Sequence, residues 1–108
     1  MNYEIAVIGK SSFVVGFEVI GVNKVYGWDE LLSNKGEINK VVEELLYAQD
    51  VGIVVMQEEA FVLLKEVIKD KVVISPKPIF FILSKEKEED ESLRLMMKRA
   101  LGTDLSVK

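Results

Sequence analysis

The feature that most constrains this fold is a fourfold alternation between short apolar runs and segments with helical periodicity. The apolar runs have strand length and fall far short of the ~18 residues that a membrane span needs. Strands that alternate with helices in this way form a parallel sheet with right-handed crossovers. The strand-like runs cover residues 3–8, 22–26, 50–56 and 79–83, and the helical segments cover 13–20, 37–48, 58–69 and about 92–101.

Local signals predict where the helices begin and end. Ser11 or Ser12 can act as N-cap of the first helix, and Gly21 can end it. Segment 27–36 mixes turn residues with large apolar ones, which indicates a loop or a short helical turn. Segment 58–69 opens with acids and carries lysines towards its end, an order that suits the helix dipole and predicts one continuous helix.

The predicted fold is α/β, a single doubly wound domain around a four-stranded parallel sheet. The expected strand order is 2-1-3-4, as in flavodoxin-like and receiver-like folds, with a C-terminal helix added. The domain spans residues 1–108, with a core of about 1–84 and a C-terminal helical part of about 90–103.

Composition removes several classes of chemistry. The 108 residues include no cysteine and no histidine, which excludes disulfides, thiolate and imidazole chemistry, and nearly every transition-metal site. A net charge of −4, with lysines scattered among glutamates, gives no basic stripe for nucleic acid. The first residues lack the basic start and apolar stretch of a secretory signal. We therefore expect a cytoplasmic protein, without direct membrane insertion, that reaches a membrane only through a partner.

The Gly-Lys-Ser sequence at 9–11 lies between the first strand and first helix, where a phosphate-binding loop would lie. A complete loop needs a glycine five positions before the Gly-Lys pair, and that position is Glu4. A turn that joins strand to helix is the favoured interpretation, while a nucleotide binder using Lys10 and Ser11 stays an alternative. The glycine spacing also fails the dinucleotide fingerprint, so no cofactor is expected.

A phospho-receiver would need acidic side chains after strand 1 and at the tip of strand 3. The corresponding residues are Lys10 and Gln57. Glu58 and Glu59 follow strand 3, but two acids in a first helical turn suit the dipole better than a metal. We expect neither a metal site nor catalytic residues, and a degenerate receiver-like interaction module in signalling stays an alternative.

Large apolar residues without a clear place in the core indicate a protein interface, or else a small cluster under a loop. Four of them lie at and after the second strand: Tyr26, Trp28, Leu31 and Leu32. Aromatic anchors in a polar setting are typical of protein–protein hot spots. On the last helix, Leu95 falls off the apolar face, and with Lys98 and Arg99 it forms a second candidate contact.

The order of these pieces resembles the F subunit of the archaeal and bacterial V/A-type ATPases. The matching pieces are EIAVIG at 4–9, GF at 16–17, GV at 21–22, DVGIVVMQEE at 50–59, PI at 78–79, LR at 93–94 and KRALG at 98–102. Together they extend over nearly the whole chain.

The resemblance implies a non-catalytic subunit of the central stalk, the rotor of an ATP-driven ion-translocating complex. Such a subunit docks on the coiled-coil stalk subunit and can influence ATP hydrolysis through its C-terminal part. On this basis the first four apolar residues would contact the coiled coil. The contact at Leu95, Lys98 and Arg99 would face the rotor or the catalytic head.

Overall fold

The computed structural model describes residues 3–84 together with residues 95, 98 and 99. The strands are β1 (Glu4–Lys10), β2 (Lys24–Trp28), β3 (Val51–Gln57) and β4 (Ile79–Leu83); the helices are α1 (Ser11–Val19), α2 (Lys35–Leu46), α3 (Glu58–Phe61) and α4 (Glu66–Ile74). A 3₁₀ turn, Leu32–Asn34, precedes α2. The predicted C-terminal helical part, about 90–103, lies outside the described residues apart from 95, 98 and 99, which are helical.

All four strands are parallel and their order is β2-β1-β3-β4, which confirms the predicted fold class. The two central strands are covered on both faces, and residues such as Ile8 and Met56 are completely buried. Strands buried on both faces contain nearly continuous apolar runs, which is why β1 and β3 could be recognised in the sequence.

Each face of the sheet carries its own core. On one face α2, α3 and α4 cover Ile8 and Met56 with side chains such as Ile38. On the other face α1 packs Phe13 and Phe17 against the central strands. Among the described residues, none of the helices is long and apolar enough to cross a membrane.

The prediction of one continuous helix over 58–69 is wrong. The chain leaves the helical path after α3, and Lys65 is extended with φ −64° and ψ 150°. The side chain of Asn39 on α2 holds this break: its Oδ1 accepts the Lys65 N–H at 2.8 Å, and its Nδ2 donates to the Leu63 carbonyl at 3.1 Å. The break directs Leu64 into the core, where it is 4% exposed.

The start of α1 also differs from the prediction. Neither serine acts as N-cap, because β1 continues to Lys10 and the helix begins directly at Ser11. The Lys10 N–H donates to Gln57 Oε1 at 2.8 Å, so a side chain from β3 takes the role expected of a serine. Gly21 ends the helical segment as predicted, with φ 111°.

The second strand lies two residues further along the chain than predicted. It pairs with β1 from Lys24 to Trp28, with Tyr26 beside Ile8 and Trp28 beside Lys10. The interval 27–36 is therefore not all loop, because its first two residues belong to β2.

Candidate docking site

A cleft of about 330 Å³ lies at the carboxyl edge of the sheet, on the side covered by α2 and α3. It is lined by Lys10, Asp29, Glu30, Leu31, Leu32, Glu59 and Leu63. These residues come from the end of β1, from the chain after β2, and from the region around α3. Open α/β sheets bind ligands and partners at this edge, beside the point where the strand order reverses, here between β1 and β3.

Trp28 stands at the end of β2, next to this cleft. Its side chain is half-buried, and the indole Nε1 donates to Glu37 Oε1 on α2 at 3.2 Å. Tyr26 lies two residues earlier on the same strand and is also half-buried against the core that α2 covers. Residues two apart on a strand share one face, so the two rings form a continuous aromatic surface.

Leu31 and Leu32 have opposite orientations. Leu31 is 6% exposed and packs in the core, whereas Leu32 is 70% exposed. The 3₁₀ turn sets this difference, because the Asn34 N–H donates to the Leu31 carbonyl at 3.0 Å and Asn34 Nδ2 donates to the Glu30 carbonyl at 2.6 Å. The expectation of four exposed anchors is therefore corrected for Leu31, and contact with a partner stays a prediction for the others.

The charges around the cleft are mainly negative. Lys10 Nζ lies 3.7 Å from Glu59 Oε1, and both side chains are about half exposed. Within residues 3–84, neither Asp29 nor Glu30 has an ion-pair partner. The cleft thus combines leucine walls with carboxylates that keep their charge uncompensated.

The same geometry disfavours a phosphate loop. The Lys10 N–H is already bonded to Gln57, and its ammonium group faces a carboxylate. Gly9 is a glycine for a steric reason, because a Cβ there would lie 2.7 Å from Gln57 Oε1. The strand-to-helix junction is thus a packed contact between β1 and β3.

The receiver-like alternative finds no carboxylate at the two key strand ends. β1 ends on Lys10 and β3 ends on Gln57, which is 4% exposed and hydrogen-bonded. In the part of the chain that the structure describes, no three acidic side chains are grouped closely enough to hold a metal ion.

Comparison with known proteins gives the family. The family model for the ATP synthase (F/14-kDa) subunit matches residues 5–100, nearly the entire chain. The chain belongs to this family. Its membership confirms the resemblance drawn from the sequence pieces.

Individual members of this family agree with the chain over most of their length. The F subunit of the A-type ATP synthase of Methanosarcina mazei is 35% identical over 102 residues, covering 94% of this chain and 97% of the relative. That of Halobacterium salinarum is 36% identical over 107 residues, covering 97% and 87%. The crystal structure of the V-type ATP synthase F subunit, that of Archaeoglobus fulgidus, superposes with a TM-score of 0.66 at 29% identity, covering 77% of this chain and 99% of that one.

The second predicted contact lies beyond the described core. Leu95 is 57% exposed, and Lys98 and Arg99 are also exposed on a helical backbone. Their contact with a partner stays a prediction.

Two residues that shape the site were not singled out from the sequence. Asn39 fixes the chain beside Leu63, and Gln57 joins the ends of β1 and β3. The available signal was a polar residue inside an apolar segment, between Ile38 and Val42 on α2 and at the end of β3. Such residues are buried only when hydrogen-bonded, which makes them candidates for positioning roles.

Proposed function

We propose that this chain is a non-catalytic central-stalk subunit, part of the rotor, of a V/A-type rotary ATP synthase or ATPase. It binds the coiled-coil stalk subunit and helps to couple, or to modulate, ATP hydrolysis or synthesis and ion transport. The observation that carries this proposal is the similarity to the F subunits of A-type ATP synthases along almost the whole chain. Its place is in the cytoplasm, peripheral to the membrane through the complex.

The carboxyl edge of the sheet supplies the main contact with the coiled coil. Tyr26 and Trp28 offer aromatic area, and Leu32 projects from the neighbouring turn. Tyrosine and tryptophan dominate the binding energy of many interfaces. Leu31 supports this surface from beneath, because its side chain fills the core under the turn.

Leu95, Lys98 and Arg99 supply a second contact, to the rotor or to subunits of the catalytic head. Their side chains are exposed, and two of the three are cationic. Two separated contacts let one small subunit influence the head while the sheet stays bound to the stalk.

The test is a tagged pull-down of this chain from detergent-solubilised membranes of its own cells, with partners identified by mass spectrometry. The proposal predicts recovery of a coiled-coil protein of roughly 25 kDa, long enough at 1.5 Å per residue to cross a catalytic head, together with large nucleotide-binding subunits. Recovery of only soluble regulators, or of nothing, would contradict it.

Variants of the same tagged chain test the contact residues. Leu32→Ala removes an exposed side chain, so it should reduce recovery of the coiled-coil protein without unfolding the chain. Trp28→Ala should reduce recovery further. The matched control is Val73→Ala on α4, which removes an apolar side chain that is 73% exposed and should leave recovery unchanged. Equal recovery with all three variants would overturn the site assignment but leave the stalk assignment standing.

A further inference from the structure

We infer that the cleft at the carboxyl edge binds a lysine or arginine side chain carried beside an apolar side chain on a helix of the coiled-coil partner. This inference rests on the proposed function and specifies the chemistry that the partner brings to the site. It follows from the walls of the cleft, from its charges and from the contacts that hold both in place.

The walls of the cleft suit an apolar side chain. Leu32 is exposed on one side, Leu63 is part-buried on the other, and Leu31 is buried beneath. A volume of about 330 Å³ is small for a ligand pocket and fits one or two side chains.

The charges of the cleft select a cation. Its lining contains three carboxylates and one lysine, and that lysine already faces Glu59. Asp29 and Glu30 are exposed, and within residues 3–84 no cation pairs with either of them. A nucleotide or an acidic helix would be repelled here, whereas a cationic side chain would complete the charge balance.

The cleft is already formed in the free chain. Asn34 holds the Glu30 carbonyl, and Asn39 holds the Leu63 carbonyl, so hydrogen bonds fix both walls. A site that needs little reorganisation loses less free energy when a partner binds.

A helix of a coiled coil can present both features together. Lysine and arginine lay their apolar stems along a hydrophobic wall and keep the charged head in a polar rim. With its stem against Leu32, such a side chain would reach towards Asp29 and Glu30, and a leucine one helical turn away would contact Leu63.

The test reverses the charge of the rim in the full chain. The double variant Asp29→Lys/Glu30→Lys is compared with Glu43→Lys/Glu44→Lys, an adjacent acidic pair on α2 that is exposed and does not line the cleft. Both doubles change the net charge equally, so general steering is matched. The probe is the coiled-coil protein recovered with the wild-type chain, purified and titrated calorimetrically at about 50 mM and about 300 mM salt.

The inference predicts that reversal at the rim weakens binding by roughly tenfold or more at low salt, against less than about threefold for the control pair. The milder Asp29→Asn/Glu30→Gln variant should weaken binding less and lower its salt dependence, which decides the matter if the lysine double fails to fold. Wild-type binding with no difference between the doubles overturns this inference alone. If the wild-type chain recovers no coiled-coil protein, the proposed function fails and the inference fails with it.

Discussion

At the scale of single residues, one buried amide determines how two helices meet. Asn39 is 5% exposed, yet all of its polar atoms are satisfied by backbone groups. Its Nδ2 donates to the carbonyls of Lys35 and Leu63, and its Oδ1 accepts the Lys65 N–H. This amide therefore sets the break between α3 and α4 and, through Leu63, one wall of the cleft.

Asn39→Ala should lower the free energy of unfolding by about 2 kcal/mol, because it leaves a backbone N–H and a carbonyl without their partner. Equilibrium urea denaturation measures this change. The control is Lys40→Ala, the exposed neighbour on the same helix, which should change stability by less than about 0.5 kcal/mol. If the two variants were equally stable, the structural role assigned to Asn39 would be wrong.

Two glycines provide a matched pair at the same scale. A Cβ at Gly9 would meet Gln57 Oε1 at 2.7 Å and Phe13 Cδ2 at 2.8 Å, whereas a Cβ at Gly36 meets nothing within 4 Å. Gly9→Ala should destabilise the chain by about 1–3 kcal/mol through overpacking. Gly36→Ala, inside α2, should stabilise it by about 0.5–1 kcal/mol. Thermal and urea unfolding check both, and changes of the same sign would contradict the steric account of Gly9.

At the scale of elements, strands and their order could be predicted because apolar period and length depend on neighbouring residues. The break between α3 and α4 could not, because Asn39 lies 24 and 26 residues from the backbone groups that it holds. The serine cap failed for the same reason, since Gln57 is 47 residues from Lys10.

The candidate site shows the same division. The sequence correctly pointed to large apolar residues around the end of β2, since composition alone marks them. Which of the two adjacent leucines faces solvent depends on the turn closed by Asn34, and no periodicity in so short a segment could reveal it.

The corner between β2 and α2 should report docking directly. Trp28 is the single tryptophan of the chain, and its indole is hydrogen-bonded to Glu37. Addition of the coiled-coil partner should shift its fluorescence emission to shorter wavelength, because the interface removes water from the half-buried ring. A Leu32→Glu variant, which places a charge in the proposed contact, is the control and should show no shift. Unchanged wild-type emission at saturating partner would place the contact elsewhere.

At the scale of the whole molecule, the two ends of the sheet differ in character. The carboxyl edge carries leucines under a rim of carboxylates. At the opposite end Lys77 Nζ lies 4.3 Å from the centre of the Tyr3 ring, and Lys24 lies between Glu4 and Asp50. The exposed ion pairs contribute little to stability, so the folded state depends mainly on the two cores on either side of the sheet. A rigid body of this kind suits a subunit that transmits position through its docked edge.

The central claim is that this chain turns with the stalk, and its most direct test is single-molecule rotation. The chain contains no cysteine, so Asp70→Cys on the exposed side of α4 gives one labelling position away from the cleft. The labelled chain is assembled into the purified complex, the catalytic head is fixed to a surface, and fluorescence polarisation is followed after ATP is added. The account predicts that the label rotates in one direction relative to the head; a label that stays bound but does not rotate would contradict it.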